Sequence, residues 1–482
     1  MVMTEPVRAT AACVDFIQTS RWKDVPSDAA TLAKRCVIDG LGVVLAGATT
    51  QGSGILRDLV RQSDGASDTT VLAPEVFRAS AGAAGLLNGA SGHAMDWDDT
   101  QLSTTADRIF GLLTHPTLPP LCAALAVGER MQVSGERFLE AFLTGFEVEC
   151  KISEAIHPNH YKKGFHSSGT VGTFGAAVAT AKLLGLDADA TAHTLAIAAS
   201  MASGIRVNFG TMTKPLHVGR AVQNGIMAAE LAAGGFTGGR DGLDGPWGFF
   251  QVFSFDGGFD PARIIGKLGN PYTIVSPGVS IKPYPCGVLG HPSMDAMLAL
   301  VVAHDVQPSQ ITAIRLRAGS NILNPLRYAI AQSELEAKFC PAFMLSAIAL
   351  RRKAGIHEFT DEFVRSAPVQ EMMARCENIL DPEIEAKGFE KIRSTVEVDL
   401  VDGRTLVQAA DERYRGGPDR PFTREELYGK FTECAELVLP ADAIAASLRI
   451  IESLEAVSDI TSLVQVLSAR ASQQPTGAGA AR

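Results

Sequence analysis

Over roughly the first 270 residues, apolar positions recur at helical spacing and are filled mostly by alanine, with glycine interleaved. Side chains this small let helix axes approach closely, so the pattern predicts a tightly packed, mainly α-helical protein. The spacing predicts helices over Pro6 to Gln18, Ser27 to Ala46, Ala79 to Met95, Leu118 to Met131 and Gly135 to Ile156. Ser167 or Ser168 can cap a further helix through Leu184, with Gly185 past its end and Asp187 or Asp189 opening the next. Leu216 to Ala233 is another, ended by Gly234-Gly235. Hydrophobic residues make up 46% of the 482 and charged residues 20%, enough to bury a large core in two or three domains.

The texture changes near residue 275. Ile311 to Ala318 and Thr395 to Leu400 alternate as strands do, and Asp402-Gly403 reads as a hairpin turn into Thr405 to Val407. Leu335 to Arg352 and Asp361 to Ile379 between them read as helices. Thr423-Arg-Glu-Glu426 is a capping box that returns the chain to helix. The organisation predicted is a helical segment over 1–274, an α+β segment over 275–408, a return to helix over 409–470 and a disordered tail over 471–482. No glycine-rich loop has Rossmann or Walker spacing, which argues against a nucleotide fold.

A net charge of −10 argues against nucleic acid as a partner but leaves room for a local basic pocket. Eight scattered cysteines form no C-x-x-C pair, so neither a metal spacing nor a disulfide framework is expected, and reduced thiols fit best. No signal-peptide pattern and no membrane-length apolar run occur, so a soluble, cytoplasmic protein is expected, with no membrane partner.

Five segments concentrate polar groups. Asn88 to Thr100 sets His93, Asp96, Asp98, Asp99 and Thr100 after an apolar run. Three carboxylates so close repel one another unless solvated, paired or bound to a cation, so the stretch reads as a site or as a solvated acidic loop. A Mg²⁺ site on Asp96, Asp98 and Asp99 is a rival reading. His115 precedes Pro116, and His166 precedes a Gly/Ser-rich helix start suited to receiving a carboxylate. Lys214, His217 and Arg220 fall within seven residues at another helix start, as in an anion pocket. Prolines between Lys282, Tyr284 and Cys286 fix their directions, and His291 follows; Cys286 reads as structural. Carboxylates, histidines, lysines and a tyrosine together suit removal of a proton next to a carboxylate, with cations stabilising the carbanion. No step of that chemistry demands a metal or an organic cofactor.

The ordered motifs N-G-x-x-x-H-x-x-D-x-D-D-T (88–100), T-H-P (114–116), H-S-S-G-T-x-G (166–172), T-K-P-L-H-x-G-R (213–220), K-P-Y-P-C (282–286) with His291, and E-A-K-F (336–339) resemble the MmgE/PrpD family over about residues 5–460. The resemblance implies a large helical domain built from both chain ends, a smaller α+β lid, a cofactor-independent active site between them, and a homodimer. It places Asp96, His115, His166 and Lys214 as catalytic residues, with Thr100, His217, Arg220, Lys282, Tyr284 and His291 binding the substrate carboxylates. One departure is Phe343, where many members carry a tyrosine.

The function expected is a cofactor-independent lyase acting beside a carboxylate of a small di- or tricarboxylate. Dehydration of a 2-methylcitrate-like acid comes first. Epimerisation of an imino- or amino-dicarboxylate and decarboxylation of a cis-aconitate-like acid are the alternatives. A metal-dependent helical enzyme and a non-catalytic scaffold are the rivals of other classes.

Overall fold

A computed structural model describes residues 9–63, 65–105, 113–254, 257–388 and 390–470. The predicted tail over 471–482 and most of the loop between Gln101 and Leu113 lie outside the described residues. Mainly helical architecture holds. Leu118–Met131 and Gly135–Ile156 form at their expected bounds, and Ser27–Gly47, Ala81–Ala94 and Thr213–Ala233 begin or end within three residues of theirs. Ser80 caps the Ala81–Ala94 helix by accepting from the Ala83 N–H, and Asp187 caps Ala188–Met201. Gly185 ends its helix in the left-handed region, at φ 67°.

Small residues set the packing. A Cβ on Gly219 would lie 2.3 Å from the Leu86 carbonyl oxygen, and one on Gly47 would lie 1.7 Å from that of Ser91. The Ala81–Ala94 helix is thereby gripped on two sides by neighbouring backbones, which fixes where its C-terminal end points.

One large hydrophobic core joins Val37, Leu41, Leu121, Phe142 and Val222 to Leu427, Phe431, Ile451 and Leu463, so the C-terminal helices pack with the N-terminal ones. A second core gathers Met294, Ile314, Phe343, Ile348 and Val396 around a four-stranded sheet. The short pair β1 (Thr69–Val71) and β2 (Phe77–Ala79) belongs to the helical part. In the second core, β3 (Ile311–Ala318), β4 (Cys376–Leu380), β5 (Ser394–Leu400) and β6 (Thr405–Ala409) follow the order β4-β3-β5-β6, with β3 and β4 parallel and the other pairs antiparallel. The expected turn joins β5 to β6, with Gly403 at φ 89°.

Three expected helices are broken. Leu335 to Arg352 divides into Glu334–Ala337 and Pro341–Arg351, because Pro341 can start a helix but not continue one. The interruption holds Lys338 and Phe339. Asp361 to Ile379 becomes Asp361–Arg365, Ala367–Met373 and then β4; Pro368 restarts the helix, and the chain from Cys376 pairs with β3. Ser167 to Leu184 breaks at Val171. His166, rather than a serine, holds the first N-cap position, since the Ser167 hydroxyl lies 3.1 Å from His157 Nε2 and the Ser168 hydroxyl accepts from the His115 N–H. No helix among the described residues is long and apolar enough to cross a membrane.

Candidate active site

The Ala81–Ala94 helix ends in the middle of the acidic motif. Met95 is its C-cap, and Asp96 takes a left-handed backbone at φ 50°. The last carbonyls of a helix have no partner within it and attract cations. Three buried lysines from distant segments bond carbonyls here, one on the last helical residue and two just past the helix end. Lys338 Nζ donates to the Ala94 carbonyl (3.0 Å), Lys282 Nζ to that of Asp96 (2.8 Å) and Lys430 Nζ to that of Trp97 (2.7 Å). Thr100 then pairs with Ser280 through both backbone bonds.

The three aspartates part company. Asp96 Oδ1 accepts from Lys214 Nζ at 2.6 Å and from Lys282 Nζ at 3.0 Å. Asp98 lies against His93 Nδ1 at 2.8 Å and 3.3 Å from His115 Nδ1. Asp99 accepts from the Thr117 hydroxyl at 2.8 Å and from the Cys36 thiol at 3.9 Å. The three-carboxylate metal site weighed from the sequence is therefore not formed. A different trio, His93, Asp96 and His115, brings one ligand atom each within 4.8 Å of the others. Asp96 already carries two ammonium groups on Oδ1, and these repel a divalent cation.

Burial sets the protonation states. It pushes the Asp96 carboxyl up, but Lys214 and Lys282 outweigh it and hold Asp96 well below the usual range. Burial lowers Lys214, while Asp96 works to keep its proton. Asp99, buried beside Asp39 and Asp98 with no cation of its own, is pushed up to about 8. Burial also lowers His93, His115, His166 and His291, so these rings are neutral. His115 Nδ1 lies 2.8 Å from the Asp99 carbonyl, which can only accept; Nδ1 therefore carries the hydrogen and Nε2 is left as an acceptor.

Asp96, His115, Lys214 and Lys282 line one pocket together with Tyr161, Phe209, Leu289, Leu326 and Phe339, and the Phe209 and Phe339 rings lie 5.2 and 5.4 Å from Lys214 Nζ. Larger hollows, of about 820 and 860 Å³, lie elsewhere, and neither is lined by any of these four polar groups. Two positive charges against one negative, in a nearly dry wall, suit an anionic substrate.

Four of the ten expected site residues thus meet at the cavity, and the others stand back from it. Thr100 is fully buried, and its hydroxyl has no hydrogen-bond partner among the described residues. The Tyr284 hydroxyl donates to Asp295 (2.7 Å), and its ring meets His291 edge-on. His291 Nε2 donates to the Cys286 carbonyl. His166 and His217 pair with each other behind Phe209. Arg220 is a correction: it is exposed and bonds Gln223, because at 3.6 residues per turn it lies about 120° around the helix from Lys214. Phe343 packs against Phe359 in the second core, away from the cavity.

Sequence reasoning missed Lys338 and Lys430 as residues that hold the acidic motif in place. Lys338 lies in the E-A-K-F motif. Lys430 had its own signal: it falls on the apolar stripe Leu427–Phe431–Cys434, where a lysine needs a buried partner. Cys286 is structural as expected, with its thiol raised by burial and packed on Met294.

The buried lysine–carboxylate cluster lines a pocket suited to an anion. Comparison with known proteins narrows the class to a lyase. Residues 12–262 match the MmgE/PrpD N-terminal domain and residues 284–456 the MmgE/PrpD C-terminal domain, and the chain belongs to that family. It is 29% identical over 445 residues to the human cis-aconitate decarboxylase, covering 90% of this chain and 89% of that one. The mouse cis-aconitate decarboxylase is 27% identical (90% and 88% covered), and that of Aspergillus terreus 22% (92% and 93%).

Proposed function

We propose that this enzyme removes CO₂ from a small unsaturated tricarboxylate of the cis-aconitate kind. The observation that carries the reading is the Lys214–Asp96–Lys282 cluster, set beside His115 in a pocket otherwise lined mainly by aromatic and aliphatic side chains. Lys214 and Lys282 hold substrate carboxylates against Asp96. Phe209, Phe339, Leu289 and Leu326 keep water from the carboxylate that departs, which favours its loss as neutral CO₂. The carbon–carbon bond breaks, and the electron pair passes through the adjacent double bond toward a retained carboxylate. The lysines stabilise the charge that forms there. A proton from a cavity-wall donor, with Lys214 the nearest protonated group to Asp96, then closes the new C–H bond.

The similarity to cis-aconitate decarboxylases supports decarboxylation over dehydration, the first expectation from sequence. Proton NMR in D₂O with cis-aconitate, 2-methylcitrate, citrate and iminodisuccinate separates the readings. Loss of CO₂ with one deuterium entering the product is expected with cis-aconitate. Water loss from 2-methylcitrate, or exchange on iminodisuccinate without net reaction, would replace the proposal by the dehydratase or epimerase reading.

A further inference from the structure

The His166 and His217 rings meet Nδ1 to Nδ1 at 3.0 Å. One of the two nitrogens must carry the hydrogen, so the contact is a single N–H···N bond that can run in either direction. The backbone is shaped around this pair. Gly204 sits at φ 143°, where L side chains are strained, and its carbonyl accepts the His166 N–H at 3.0 Å. A Cβ on Gly204 would lie 3.3 Å from His217 Cγ, and one on Gly169 would lie 3.0 Å from His217 Cβ. Inward, His166 stacks on His93 with ring centres 5.4 Å apart, and His93 meets His115 at 4.6 Å. A ring nitrogen of His93 lies within 4.8 Å of an Asp96 oxygen. Outward, His166 is fully buried while His217 is partly exposed. Four imidazoles therefore run from the cavity wall to solvent. Nε2 of both His93 and His166 has no hydrogen-bond partner among the described residues, so each is open to exchange a proton.

We propose that His217 is the solvent-side end of a proton path that recharges the cavity through His166. The need for such a path rests on the decarboxylase reading. Each turnover releases CO₂, leaves its electron pair on the carbon skeleton and consumes one proton in the new C–H bond. The donor that gave the proton must be refilled before the next turnover, and Lys214 is buried. His166 passes its Nε2 proton to Nε2 of His93, where Asp98 at 2.8 Å supports the charge until that proton returns to the amine left on the donor, and His166 accepts one at Nδ1 from His217, which takes one from water at its own Nε2. The His166 and His217 rings stay neutral throughout and end in the opposite tautomer, from which ring reorientation resets them. Burial favours this neutral transfer over a standing imidazolium: it lowers His217 to about 4, helped by His93 and Lys214. The ionisable groups that act most on the pair are His93, Lys214 and His115.

The test uses the full chain labelled with ¹⁵N-histidine. His217→Phe keeps the packing but removes both nitrogens, and His217→Gln keeps a hydrogen bond to His166 while being unable to hand a proton on. In both, kcat is expected to fall by about tenfold or more with KM within about twofold, and exchange of the His166 ring N–H with D₂O to slow by a similar factor. Imidazole in the buffer is expected to restore activity to His217→Ala, which leaves room for it, but not to His217→Phe. Unchanged His166 exchange in His217→Phe and His217→Gln would overturn the path. So would kcat within about twofold of wild type with no response to imidazole. If the wild-type enzyme releases no CO₂, the decarboxylase reading fails on its own, and the exchange measurement still decides whether His217 serves His166.

Discussion

Replacing Lys430 by methionine tests how the acidic motif is held. Lys430 Nζ lies 2.6 Å from Asp39 Oδ1 and donates to the Trp97 carbonyl at 2.7 Å, and both side chains are almost fully buried. Methionine keeps the volume and removes the charge. Asp39 is left as a buried carboxyl without its cation, beside Asp98, and the Trp97 carbonyl loses its donor. Breaking a buried ion pair from one side costs about 3–5 kcal/mol. Asp39 limits the loss by taking up a proton, because burial already raises it and Lys430 is the largest influence pulling it down. The sign of the pH dependence follows. A carboxyl raised in the folded state supports stability in full below its unfolded value, near ~4, and loses that support as pH rises through its folded value. The variant should therefore be least stable at high pH. Adding Asp39→Leu removes the stranded group, and a buried pair replaced by apolar side chains is about neutral. Urea unfolding at several pH values reads all three proteins. A Lys430→Met loss under about 1 kcal/mol, or a double variant no more stable than the single, would refute the reasoning.

Other expectations can be checked directly. Asp99→Asn keeps the shape of a group that is protonated at neutral pH; the wild type should lose stability as pH rises through about 8 and the variant should lose less, read from urea midpoints at about pH 6 and pH 9. Lys214→Met should lower kcat by roughly 10²–10⁴-fold, and Lys214→Arg should fail to restore it, because a planar guanidinium does not fit where a compact ammonium sits 2.6 Å from Asp96; steady-state kinetics decides. Gly219→Ala should cost about 1–3 kcal/mol or more, since its Cβ would lie 2.3 Å from the Leu86 oxygen, and thermal unfolding measures it. Arg220→Ala should leave kcat and KM unchanged, because Arg220 is exposed and its partner is Gln223.

Local sequence carried the helical part well, because alanine and glycine at helical spacing leave little else for the chain to form. It failed where tertiary pairing overrode the pattern. Cys376 to Leu380 continues a helical periodicity, yet the free edge of β3 draws it into the sheet. The Lys338–Cys340 break is signalled by Pro341, but its purpose, carrying a lysine to the end of a helix some 240 residues earlier in the chain, is a long-range contact. At the site, the motifs named the residues that converge, including Asp96, His115, Lys214 and Lys282. They could not separate the residues on the cavity wall from those behind it, because His166, His217 and Tyr284 are equally polar and equally close in sequence. Helical geometry alone would have excluded Arg220, since it and Lys214 share no face.

The most direct test of the account is the CO₂ released from cis-aconitate, measured against product for the wild type and Lys214→Met side by side in D₂O. The account predicts one CO₂ and one new carbon-bound deuterium per wild-type turnover, with the variant folded and nearly inactive. Turnover without CO₂, or a folded Lys214→Met as fast as the wild type, would contradict it.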